Sequence, residues 1–205
     1  VHMLSKAAFN ALLKTLEEPP SHVIFILATT ELHKMPETVI SRCQVLNFAR
    51  PDPEMLKQVI RKVAKNEGYK IDEKSAHLIA LLGEGSYRDT LGLLQRVMVS
   101  SPDKELVLAE VEKITGAPKR DLVKDFVRAV LDNDSSKALI LVETLGRTGT
   151  DMKVLLKLIL DELRRGIFAS FSPELLGPDY LAVDKEDKLF YEELAASDNA
   201  KTLPA

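Results

Sequence analysis

Arg42 and Cys43 stand side by side in VISRCQVLNF, a permanent cation next to the chain's single thiol inside an otherwise apolar run. A neighbouring cation can lower a thiol's pKa and make it a nucleophile, while a planar guanidinium fork suits phosphate oxygens. The same pair also fits a strand-edge charge facing water beside a small buried residue. Cys43 has no base partner close in sequence, and a cysteine in an apolar run serves most often in packing. Thr29 and Thr30 close a second apolar run, VIFILA. Open α/β sheets bind ligands beyond the carboxyl ends of their strands, so these threonines either contact a ligand or cap the strand and begin a turn. Arg88, in GSYRD, is another cation suited to phosphate, or one half of a surface ion pair with Asp89 or Glu84.

Complete catalytic constellations are missing. His2, His22, His33 and His77 are scattered without metal-ligand spacing, so no metal site is expected. The sequence holds no G-x-x-x-x-G-K-[ST] phosphate loop and no apolar strand ending in Asp-Glu to hold magnesium. Lys14 and Glu17, three residues apart, read as an ordinary ion pair on a solvated helix face.

These residues need elements to carry them. SKAAFNALLKTLEE places Phe9, Leu12, Leu13 and Leu16 on one helical face, with Ser5 as N-cap and Pro19-Pro20 as the stop. Val23 to Ala28 is continuously apolar and rich in β-branched residues, which predicts a strand buried on both faces of a parallel sheet. LHKMPETVISR predicts a helical turn introduced by Pro36, and CQVLNF a second strand. From Arg50 onward the periodicity is helical. Asp52 caps and Pro53 starts a helix that ends near Gly68, DEKSAHLIALLGEG forms the next, and Ser86 caps a third. KELVLAEVEKITG predicts a fourth, closed by Gly116, with Pro118 marking a boundary. RDLVKDFVRAVLDND, SSKALILVETLGRTG, DMKVLLKLILDELRRGIFASF and EDKLFYEELAAS continue the helical pattern. Leu155, Leu158, Ile159 and Leu163 form a stripe for a core or a subunit interface.

Composition narrows the function class. With 205 residues, 45% hydrophobic and 29% charged, the chain can bury a core and hold more than one small domain. A formal net charge of -3 gives no overall attraction to nucleic acid, so any such contact must be local. A single cysteine forms no internal disulfide and fits a reducing, cytoplasmic setting. The longest apolar runs are too short to span a bilayer, so no membrane is expected.

Taken together, VHMLSKAAFNALLKTLEEPPSHVIFILATTELHKMPETVISRCQVLNF closely resembles the bacterial DNA polymerase III gamma/tau family, the ATP-driven motor subunits of the sliding-clamp loader within the AAA+ superfamily. The resemblance continues through GEGSYRDTLGLLQRVM and, more loosely, through ALILVETLGRTGTDMKVLLKLILDELRR. It implies a mainly α fold with a small α/β portion. Residues 1–50 would be the remnant of an AAA+ parallel-sheet core, residues 51–116 a three-helix lid, and residues 117–205 a helical collar. The family's phosphate loop and metal-binding strand should then lie upstream of Val1.

The resemblance also implies residue roles. Arg42 matches the arginine finger, which reaches into the neighbouring subunit's ATP site. Thr30 matches sensor 1 and Arg88 matches sensor 2, a lid arginine that contacts the nucleotide's phosphates. ATP and magnesium are the cofactors implied for an intact parent, with no tight binding expected of these residues alone and no turnover by them. The partners implied are the other subunits of the clamp-loader ring, including delta and delta-prime, together with the sliding clamp and primed DNA. A non-hydrolysing delta-prime-like subunit is the alternative, since NALLKTLEEPP and the SRC arginine also occur in that partner.

Overall fold

The computed structural model describes residues 1–172 and 185–196. The chain divides into two compact units, Val1–Ala49 and Arg50–Ala205.

In the first unit, α1 (Lys6–Glu17) begins where the Ser5 hydroxyl accepts the Ala8 amide at 3.2 Å, and it ends just before Pro19-Pro20. A 3₁₀ turn, Leu32–Lys34, leads to the short α2 (Glu37–Ile40). Phe9, Met35 and Val39 form the small core of this unit, and Cys43 packs against it. The thiol is therefore a packing group, as its apolar setting predicts.

The two strands predicted here do not form. Residues 24–29 and 44–50 carry no regular secondary structure. Instead of being buried on both faces, Ile24 and Ile26 are 89% and 87% exposed, and Phe48 is 92% exposed. The two segments both line a groove of about 550 Å³ and do not pair with each other. A strand exists only as a member of a hydrogen-bonded ladder, and among the described residues neither segment has a ladder partner.

Among the described residues of the second unit, the regular structure is helical except for one small sheet. It contains α3 (Pro53–Asn66), α4 (Glu73–Leu82), α5 (Tyr87–Ser100) and α6 (Leu108–Thr115). Asp52, Asp72 and Ser86 each accept a first-turn amide, which fixes where α3, α4 and α5 start. Gly116, at φ 69°, adopts the left-handed conformation that closes α6. Leu56, Ile60, Ile79, Leu94, Val97 and Val111 are buried together as the core of these helices. The sheet joins β1 (Lys70–Ile71) to β2 (Glu105–Leu106) in parallel, pairing Lys70 with Glu105 and Ile71 with Leu106. Glu105 and Leu106 were expected to begin a helix. Two residues of extended chain are enough here because Leu106 is carried into the core.

Among the described residues four further helices follow: α7 (Arg120–Leu131), α8 (Ser135–Arg147), α9 (Met152–Phe171) and α10 (Lys185–Ala196). Val127, Leu131, Ala169, Phe190, Tyr191 and Leu194 make one cluster, and Val123, Leu145 and Leu155 another. Leu158 of α9 packs against both the Val123 cluster and the core of α3 to α6. Residues 51–116 and 117–196 thus share apolar packing across Pro118. No described helix is long and apolar enough to cross a membrane.

Candidate functional site

Arg42 follows the last turn of α2, where Ser41 is the C-cap. Its Nε donates to Glu17 Oε1 at 2.7 Å, and Nη2 donates to the same oxygen. Nη1 donates to the Thr38 carbonyl at 2.8 Å and lies 3.3 Å from the Ser41 hydroxyl. The guanidinium is therefore anchored by its own unit while its side chain stays 35% exposed. This is not the free strand-edge charge of the alternative reading, because no strand is present and the side chain has defined partners.

Glu17 is a residue to which the sequence assigns the wrong partner. The expected pair with Lys14 does not form among the described residues; Glu17 instead bridges to a residue 25 positions away. A signal was available in the sequence. Glu17 ends α1, where unpaired carbonyls disfavour a carboxylate, so the residue opposes the helix dipole rather than serving it.

Thr30 lies in the bend that follows the apolar run VIFILA, with its side chain exposed and without a hydrogen-bond partner among the described residues. Its neighbour Thr29 carries the turn: its hydroxyl accepts the Glu31 amide at 3.0 Å and meets His2 Nδ1 at 2.9 Å. With no strand formed there is none to cap, and of the role considered for both threonines only the turn remains, carried by Thr29. Thr30 and Arg42 both belong to the first unit.

Arg88 belongs to the second unit, in the first turn of α5, which Ser86 caps. It is exposed and makes no ion pair among the described residues. Neither surface partner considered for it is engaged with it. Asp89 offers its backbone amide to the cap, and Glu84 pairs with Lys157. No group of His, Cys, Asp or Glu side chains among the described residues is arranged to hold a metal ion.

Residues 1–52 match the family described as DNA polymerase III, delta subunit. The tau subunit of DNA polymerase III from Bacillus subtilis is 38% identical over 192 residues, 94% of this chain. Its counterpart from Escherichia coli is 33% identical over 204 residues, the whole of this chain. The chain is a relative of the gamma/tau subunits. It spans only about a third of those proteins, 34% and 30% of their lengths. A solved structure of the Bacillus subtilis DNA clamp loader delta protein aligns with 96% of this gamma/tau relative and is itself covered to 60%, at 16% identity and a TM-score of 0.42.

A triphosphate needs a cradle of backbone amides and a cation at carboxylates, and the sequence supplies no phosphate-loop motif. The Arg42 guanidinium and the Thr30 hydroxyl are exposed in the first unit, and the Arg88 guanidinium is exposed in the second.

Proposed function

We propose that this chain is part of a clamp-loader motor subunit, a protein whose intact form uses ATP to place a sliding clamp on primed DNA in the cytoplasm. Residues 1–50 are the end of its AAA+ core, 51–116 its lid and 117–205 its collar. In this reading Arg42 is the arginine finger, Thr30 is sensor 1 and Arg88 is sensor 2. ATP and magnesium are bound mainly by parts of the protein beyond these residues.

The observation that carries the reading is Arg42: a permanent cation, anchored on one side by Glu17 and Thr38 and still partly exposed, in a chain that matches gamma/tau subunits along most of its length. Phosphoryl transfer is accelerated chiefly by positioning and charge stabilisation, and an arginine supplied in trans contributes roughly 10³ to 10⁵ in rate. Such an arginine requires a neighbouring subunit. α9 turns Leu156, Leu160, Ile167 and Phe171 outward on one face, a stripe suited to subunit contact in the ring that includes delta and delta-prime.

The test uses the full-length subunit assembled with its partners. Arg42→Ala should cut ATPase by at least a hundredfold while ATP affinity changes little; normal turnover in that variant would remove Arg42 from the role. The 205-residue chain alone should turn over no ATP. A second reading, a delta-prime-like subunit without its own ATP, is favoured by the delta-subunit match over residues 1–52. Tight ATP binding by the isolated full-length protein excludes it.

A further inference from the structure

We infer that Glu17 is a positioning residue for Arg42, setting the plane of the guanidinium so that its outer edge is presented to an anion on a neighbouring subunit. The inference rests on the reading of Arg42 as a group that acts in trans.

Three observations lead to it. A guanidinium carries its N–H groups in one rigid plane, so a carboxylate that takes both Nε and Nη2 fixes the rotation of that plane as well as its distance. Glu17 Oε1 takes both. The Thr38 carbonyl, 2.8 Å from Nη1, holds the side facing the chain. What remains for an incoming anion is the outer edge, where Nη2 carries a second N–H and Nη1 donates only a long hydrogen bond, 3.3 Å, to the Ser41 hydroxyl, which an anion can replace.

The pair is also badly placed to serve stability. Glu17 and Arg42 side chains are 49% and 35% exposed, and surface ion pairs of this kind contribute roughly 0 to 1 kcal/mol. Glu17 moreover sits at the carboxyl end of α1, against the helix dipole. A residue that breaks a local rule and adds little to folding is explained by what it holds in place. An unanchored arginine has many rotamers to lose on meeting phosphate, whereas one already fixed by Glu17 and Thr38 loses few. Misplacement of a reacting group by about 1 Å costs on the order of a hundredfold in rate.

The experiment measures kcat, the KM for ATP and nucleotide affinity of the assembled full-length complex carrying Glu17→Ala, Glu17→Gln or Arg42→Ala, with melting temperatures as a control. The Nε–H signal of Arg42 is followed in parallel in the ¹⁵N-arginine-labelled full-length subunit. Glu17→Ala should lower kcat about tenfold to a hundredfold with KM and nucleotide affinity within twofold of the parent. It should also shift the Arg42 Nε–H signal and leave the melting temperature unchanged. Glu17→Gln keeps an acceptor oxygen for Nε and should restore part of the loss. Glu17→Ala in an Arg42→Ala background should add nothing. If Glu17→Ala leaves kcat unchanged while Arg42→Ala reduces it, the positioning role fails and the reading of Arg42 stands. Increased turnover in Glu17→Ala makes Glu17 a restraint and overturns the inference. If Arg42→Ala has no effect, both fall.

Discussion

His77 Nε2 lies 2.5 Å from Nη2 of Arg165, joining α4 to α9 within the second unit. Arginine can only donate, so Nε2 must accept and the neutral ring carries its proton on Nδ1. A protonated His77 would lose this hydrogen bond and set a second cation beside the guanidinium. Burial depresses the His77 pKa; Asp161, 3.5 Å away, opposes the shift, while Arg165 and Arg120 add to it. The net direction is below the ordinary value of 6.5.

A pH dependence of stability follows. Because the folded-state pKa lies below the unfolded one, the unfolded chain binds the extra proton first as pH falls. The contribution of His77 is complete above about 6.5 and is lost as pH drops from there through the lower folded value. Asp161 and Glu73 are also held below the usual carboxylate range, so their losses come at lower pH, while burial shifts Glu112 the opposite way. Urea unfolding at pH 7.5 and 5.5 should show a lower midpoint at 5.5. His77→Gln keeps an acceptor for Arg165 without a titrating group and should flatten that difference. An equal drop in the variant would assign it to other groups.

The helical part of this fold is legible in the sequence because its signals are local. Ser5, Asp52 and Ser86 cap the helices their positions predict, and Gly116 closes α6. The β1–β2 sheet is not legible, since residues 70–71 and 105–106 are too short to show a period and pair across 35 positions. VIFILA fails for the opposite reason. Its pattern predicts a strand, yet pairing depends on a partner that apolarity cannot supply. At the candidate site, Arg42 is legible as a residue type beside a familiar string, whereas its pairing with Glu17 is a tertiary contact with no spacing rule behind it.

Arg120 is the hub of a buried polar network between α7, α9 and α10. Its Nε donates to Glu162 at 2.9 Å, Nη1 donates to Asp187, and Nη2 meets the Tyr191 hydroxyl at 3.2 Å. Burial penalises the Arg120 charge, but the Glu162 and Asp187 carboxylates outweigh it and hold its pKa above normal. Burial, then Glu162, pushes the Tyr191 hydroxyl well up, so it stays protonated and donates to Glu162. Glu162 is 3% exposed. Removing one member of such a network leaves the others unpaired in a place where water cannot replace it. Glu162→Ala should therefore cost about 3 kcal/mol in urea unfolding. Tyr191→Phe removes one hydrogen bond and should cost about 1 kcal/mol. Cleavage by trypsin within α10 should rise in Glu162→Ala. A cost below about 0.5 kcal/mol, typical of solvated surface substitutions, would show that the network is wet.

The exposed groove of the first unit can be tested by hydrogen exchange. Among the described residues, the amides of Ile24 to Ala28 and of Gln44 to Phe48 donate to no backbone carbonyl. Unpaired amides at exposed apolar positions exchange almost as fast as in an unfolded chain, whereas those of a ladder are protected up to the global stability. In the 205-residue chain both segments should exchange within seconds, while α3 to α5, around buried Ile60, Ile79 and Leu94, remain protected. In the full-length protein the same two segments should become protected if additional strands enter the groove and complete a sheet. That change would explain why residues as apolar as Ile24, Ile26 and Phe48 face water here. Fast exchange of both segments in the full-length protein would mean that they are loops in the intact molecule, and the assignment of residues 1–50 to a parallel-sheet core would fall.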